Sequence, residues 1–232
     1  MLFHKQFVTQ DDPTYAGAEL LFDGVTCRVL LELGVRKKHA NWISEVLRTA
    51  MFSSEERYYH TGVHVLAMFD FAEEHKIKLT LIEQLAILFH DAVYDPQERI
   101  SATNENASAD FLRALLWGKI HVHDLNDAIL IVKQTALHGV DNIPCFSPTV
   151  MDLDLSTFAY EYYWFEKLQS FICEEFGLSR ERYVQLRNPF IKKLFNQKYG
   201  LYRTEAFSKF SQIAQQNEEE FLRNQEEWIK DE

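Results

Sequence analysis

Apolar residues in this chain recur at helical spacing over most of its length, and the strict alternation of a half-buried strand is almost absent. The breakers agree, since 8 Gly and 5 Pro in 232 residues are too few for a loop-rich sandwich or barrel. The expectation is an all-α fold, one helical-bundle domain over residues 1–232. Hydrophobic residues make up 47%, including 18 Phe, 10 Tyr and 4 Trp, so disorder is excluded for most of the chain.

The clearest helix spans 80–93. Thr80 and Glu83 form a capping box, Ile82, Leu85, Ala86, Phe89 and Val93 follow at helical spacing, and Pro96 stops it. A second helix is expected from about Asn104 to Gly118, with Ala107, Phe111, Ala114 and Leu115 on its buried face. A third runs from about Leu125 to His138 on a stripe of Leu125, Ala128, Ile129 and Val132. Two more occupy 160–176 and 180–196, parted near Gly177 and Ser179. The last, 205–230, carries Phe207, Phe210, Ala214, Phe221 and Trp228 on one face and many glutamates on the other. Residues 139–149 are the best loop, broken by Gly139, Asn142, Pro144 and Pro148.

Lys plus Arg number 24 against 35 Asp plus Glu, a formal charge of -11. Such a surface repels phosphate backbones, which argues against a general nucleic-acid binder. Cys27, Cys145 and Cys173 are odd in number and widely spaced, so they form no disulfide framework and fit a reducing compartment as packing residues. The N-terminus lacks an apolar signal core. The stretch 25–35 is interrupted by Arg28 and Glu32 and is far shorter than the ~20 residues a bilayer needs. The expected location is the cytoplasm, with no membrane partner.

Nine histidines carry the chemical signal. His60 and His64 are four apart and share one face if that segment is helical. His90 and Asp91 end the apolar 80–93 helix, His138 ends another, and Asp152 and Asp154 follow. Imidazole with carboxylate is the usual ligand set for Zn, Mn, Fe, Co or Ni. Each element has a plainer explanation: a packing pair, a dipole contact or a helix cap. The combination weighs more, because an ionisable pair following an apolar helix needs something to offset its desolvation, and a metal supplies it. His121 and His123, just before a helix start, suit a surface turn.

The ordered series of His60, His90-Asp91 and a later aspartate resembles the HD-domain superfamily of metal-dependent phosphohydrolases. It is similar to a bacterial subgroup with an R-x-Y-H-x-x-x-H opening, here Arg57, Tyr59, His60 and His64. Further blocks are FHDAVYDP, NENASAD with Asn104 and Glu105, Thr135 and His138, DLDLS, and Glu175-Phe176, Arg187 and QNEEEF towards the end. The resemblance covers about 55–225. It implies a helical bundle around one or two divalent metals (Mn, Fe, Co, Ni, Zn or Mg), with His60, His90, Asp91 and Asp154 as ligands. Asp154 is preferred to Asp152 because the family form places its Asp-Leu there. His64 and His138 are implied as ligands of a second metal, phosphate contacts or general acids, and Glu105 as the group that orients water. Arg57 and Lys133 are candidates to neutralise phosphate, Arg57 the better because its fork matches phosphate oxygens. Three positions depart from the subgroup: Thr61 stands for Asn, Thr103 for Asp, and Cys173 for an Arg that would contact substrate.

The implied activity is hydrolysis of a small phosphorylated metabolite or nucleotide, since a metal acidifies bound water and withdraws charge from a phosphoryl oxygen. A di-iron oxygenase of the same fold and a non-catalytic helical binding module are the alternatives. The sequence leaves the oligomeric state open.

Overall fold

A computed structural model describes residues 12–96, 103–140 and 145–230. The described residues contain no strand. The first two helices, α1 (Tyr15–Glu32) and α2 (Lys37–Phe52), have no counterpart in the sequence expectations. They pack as an antiparallel hairpin. Its cross-links run in opposite order along the two helices, with Cys27 on Asn41, Asp23 on Ser44 and Glu19 on Arg48.

The centre of the molecule is α3 (Gly62–Glu74), in which Gly62 through Met68 are all buried. A helical stretch with no solvated side is stable only inside a core. Beside it lies α4 (Leu81–Phe89), with Leu85 through Phe89 buried in succession. Its capping box is present as expected: Glu83 N–H donates to Thr80 Oγ1 at 3.2 Å and Thr80 N–H to Glu83 Oε2 at 2.9 Å. Glu83 also accepts from Ser147 Oγ at 2.6 Å, which ties α4 to a later helix start.

The helices α5 (Thr103–Leu116) and α6 (Val122–Thr135) pack on each other, and α6 also packs on α4. The α6 stripe of Leu125, Ala128, Ile129 and Val132 is buried as expected. That of α5 is rotated: Asn104, Ser108, Ala109, Leu112, Leu115 and Leu116 are buried, and Ala114 is exposed. The apolar count along α5 was misleading because two of its inward positions hold polar residues, Asn104 and Ser108. His121 is the exposed N-cap of α6 and accepts from His123 N–H at 3.3 Å, a surface turn. The expected loop 139–149 is only partly visible, because 141–144, with Asn142 and Pro144, lie outside the described residues.

After it come α7 (Pro148–Asp154), capped by Ser147, a 3-10 turn (Ser156–Ala159), α8 (Tyr162–Glu175) and α9 (Arg180–Phe195). Gly177, at φ +59°, makes the turn between α8 and α9 that a side chain would disfavour. The expected 205–230 helix is two pieces, α10 (Glu205–Ser208) and α11 (Ser211–Lys230), and its aromatic stripe from Phe207 to Trp228 is buried. The buried apolar residues form one cluster that includes residues from Tyr15 to Trp228. No described helix is long and apolar enough to cross a membrane.

One glycine is demanded by contact. A Cβ on Gly62 would lie 1.8 Å from Cε2 of Phe52, whose ring is held edge-on by Tyr15 and Phe22 at 5.3 Å each. Gly62→Ala is expected to cost about 1–3 kcal/mol by overpacking, more than the gain in helix propensity. Adding Phe52→Leu should recover most of it. Urea unfolding of the three proteins checks this, and an unchanged midpoint for Gly62→Ala would mean that the ring yields freely.

Candidate metal centre

The site is built where α4 stops. The expected helix to residue 93 ends at Phe89, with His90 as C-cap, well before Pro96. The reason is tertiary. Arg57 donates to the carbonyl oxygens of Asp91 at 3.0 Å and of Ala92 and Tyr94 at 3.4 Å each, groups a further helical turn would employ. From the other side, Ser108 Oγ bonds both Val93 N–H and Val93 C=O at 3.0 Å, and Asn104 bonds both backbone groups of Asp95 at 2.9 and 3.0 Å. The polar inward face of α5 thus imitates a strand edge for residues 93–95.

This places Arg57 differently from the expectation. Its guanidinium is buried and committed to backbone carbonyls, including that of His60 at 3.5 Å, so it positions the chain and is not free to neutralise phosphate. Lys133 sits half-buried in the last turn of α6. His60 is also placed differently: Thr61 is the N-cap of α3, so His60 precedes the helix and does not share a helical face with His64. The ring centroids are 6.3 Å apart.

His64, His90 and Asp91 are buried, and each offers a donor atom within 4.8 Å of the other two. His64 comes from the buried first turn of α3, the other two from the end of α4. Asp154, the last residue of α7, adds its carboxylate. Its Oδ1 lies 3.1 Å from His64 Nε2 and 3.5 Å from His90 Nε2, and its Oδ2 accepts from His138 Nε2 at 2.7 Å. His90 Nε2 and Asp91 Oδ2 are 2.9 Å apart yet not aligned for a hydrogen bond. His90 Nδ1–H donates to Ile87 C=O at 2.8 Å, which leaves Nε2 as the lone-pair nitrogen.

The residues suit a divalent cation. His90 Nε2 and Asp91 Oδ2 are buried with no hydrogen-bond partner, which is costly unless something else compensates them. Donor spacings of 2.9, 3.1 and 3.5 Å match the edges of a shell with ligand bonds of about 2.0–2.2 Å, namely about 2.9–3.6 Å. Charge points the same way. Burial alone would raise the Asp154 pKa, but bonds from His138, His64 and His90 hold it well below the usual carboxylate range. Burial alone would lower the His90 pKa, and Asp91 and Asp154 outweigh it and raise it well above normal. The pocket favours a positive charge at its centre.

The other expected residues fall around this group. Asp152 faces away from it: its carboxylate accepts from Arg203 N–H and Thr204 N–H at 2.8 Å each and from Thr204 Oγ1 at 2.7 Å, so it anchors the start of α10. Glu105 is half-buried on α5; burial raises its pKa, and the charges of Asp91 and Asp154 add to that. Cys173 is buried and donates to Leu178 C=O at 3.3 Å, and no disulfide joins the three cysteines. The residue the sequence did not single out for a role is Glu175. It lies 115 residues beyond His60, and its carboxylate takes His60 Nδ1 and the backbone N–H groups of Tyr58, Tyr59 and His60. Nothing local in the sequence marks it as a partner of His60.

No protein-family model, curated protein or solved structure matches this chain.

Proposed function

We propose that the chain is a metal-dependent phosphohydrolase of the HD-domain type, acting on a small phosphorylated metabolite or nucleotide. The observation that carries the proposal is the buried group of His64, His90 and Asp91, in which no protein group satisfies His90 Nε2 or Asp91 Oδ2, closed by Asp154. These four residues would hold the ion. A divalent ion supplies Lewis acidity at a phosphoryl oxygen and a lowered pKa for bound water. The protein's own groups do the rest. Ile87 C=O and Asp154 orient the imidazoles of His90 and His138. In this reading His138 would give a proton to a leaving oxygen, and Glu105 would orient water.

The test is elemental mass spectrometry on protein purified without chelators or a His tag, followed by a phosphoester panel with the metal found. About one or two equivalents of Mn, Co, Ni, Zn or Fe, with release of phosphate or pyrophosphate, is the expected result. Two equivalents of iron without phosphate release would redirect the function to oxygen chemistry. A protein that is metal-free and does not bind added Mn or Mg would be a helical scaffold.

A further inference from the structure

We propose that Glu175 is a positioning residue of this site: it holds His60 as the Nδ1–H tautomer and so presents Nε2 as an additional lone-pair donor to the ion. The inference rests on the reading of the group as a metal centre. Glu175 sits near the end of α8 with a side chain of 0% exposure. Its Oε2 accepts three backbone N–H groups, from Tyr58 at 2.9 Å, Tyr59 at 2.8 Å and His60 at 3.0 Å. Those three bonds fix the carboxylate. Its other oxygen, Oε1, meets His60 Nδ1. An ionised carboxylate only accepts, so the proton on that contact belongs to Nδ1. Nε2 is then the basic nitrogen of the neutral ring.

The ring plane is fixed as well. Tyr94 stacks on His60 at 4.2 Å between centroids, and Tyr94 is held by the same 91–95 segment that delivers Asp91. Nε2 has no hydrogen-bond partner among the described residues, and the side chain keeps 20% exposure, so this nitrogen is available. The His60 ring centroid lies 6.3 Å from that of His64, which places it beside the metal group.

A purely structural role would need only Oε2. Capping the three amides requires one acceptor, and a glutamine would serve. The second oxygen is what distinguishes the two roles. In Glu175→Gln the amide oxygen must stay on the backbone N–H groups, so the NH₂ group faces Nδ1 and donates to it. His60 is then forced into the Nε2–H tautomer, with little change in shape or capping.

The experiment uses the full chain labelled with ¹⁵N. Long-range ¹H–¹⁵N spectra of the metal-free protein, with His60 assigned through a His60→Gln variant, report the tautomer. Titration calorimetry with Mn²⁺ reports affinity. The expected result is Nδ1–H in the wild type, Nε2–H in Glu175→Gln, and Mn²⁺ affinity reduced about 10–100-fold, the usual cost of losing an outer-shell partner of a ligand histidine. An Nε2–H tautomer in the wild-type protein overturns the proposal without any variant having to fold. A tautomer that switches while Mn²⁺ affinity stays within twofold also overturns it and leaves the metal centre standing. A wild type that binds no Mn²⁺ removes the metal reading itself, and this proposal with it.

Discussion

A His90→Ala, Asp91→Ala double variant is expected to purify without metal and to release no phosphate from any ester the wild type hydrolyses. Both side chains end in buried donor atoms without hydrogen-bond partners. Even outer-shell partners of a metal ligand are worth about 10–100-fold in affinity, so the loss of two ligands exceeds that. The fold should survive the change. Arg57, Ser108 and Asn104 hold residues 91–95 through backbone groups that alanine keeps. Removing an ionisable pair from a buried site also relieves a desolvation cost. Metal content and an unfolding midpoint measured on the same preparation separate the two effects. Full metal occupancy in a folded double variant would show the ligand assignment to be wrong.

Arg187→Leu is expected to destabilise the protein by about 3–5 kcal/mol, the cost of leaving a buried charge without its partner. Arg187 bonds Glu218 through two nitrogens at 2.9 and 2.5 Å, and its Nε donates to Gln169 Oε1 at 2.7 Å. Tyr183 OH donates to the same oxygen at 2.9 Å, and the guanidinium lies over the Phe221 ring at 4.4 Å. One side chain thus joins α8, α9 and α11. Arg187→Leu with Glu218→Leu should be far closer to the wild type, because the pair is removed whole. Urea unfolding of the single and double variants measures the difference. A loss below about 1 kcal/mol for Arg187→Leu, the scale of an exposed pair, would mean that the network is solvated.

Much of the helical framework was legible in the sequence because its signals are local. The Thr80–Glu83 capping box, the α6 stripe and the α11 stripe of Ala214, Phe221 and Trp228 depend on spacing within one helix, and each is found where spacing puts it. Two kinds of element were not legible. The helix α1 mixes buried and exposed leucines, with Leu20 and Leu21 exposed and Leu30 buried, so periodicity says little. The inward face of α5 carries Asn104 and Ser108, polar residues buried because they serve the 93–95 segment, and an apolar count misses them.

The same division runs through the candidate site. The histidines and aspartates could be named from the sequence because ionisable groups beside apolar helices are unusual. Which of them meet could not. Asp152 and Asp154 are two residues apart, and only the course of α7 decides that Asp154 reaches His64, His90 and His138 while Asp152 anchors the residues that lead into α10. Arg57 looked like a phosphate ligand because its chemistry suits one, and the fold turns it onto backbone carbonyls. Glu175 carried no local sign of its place under His60, since a contact across 115 residues exists only once α8 has docked. The sequence by itself determined the helices and the stock of ligand-type side chains, because both follow from short-range spacing and residue chemistry. The tertiary structure alone decided which of those side chains share a buried centre, because that depends on how each helix ends and where its neighbours pack.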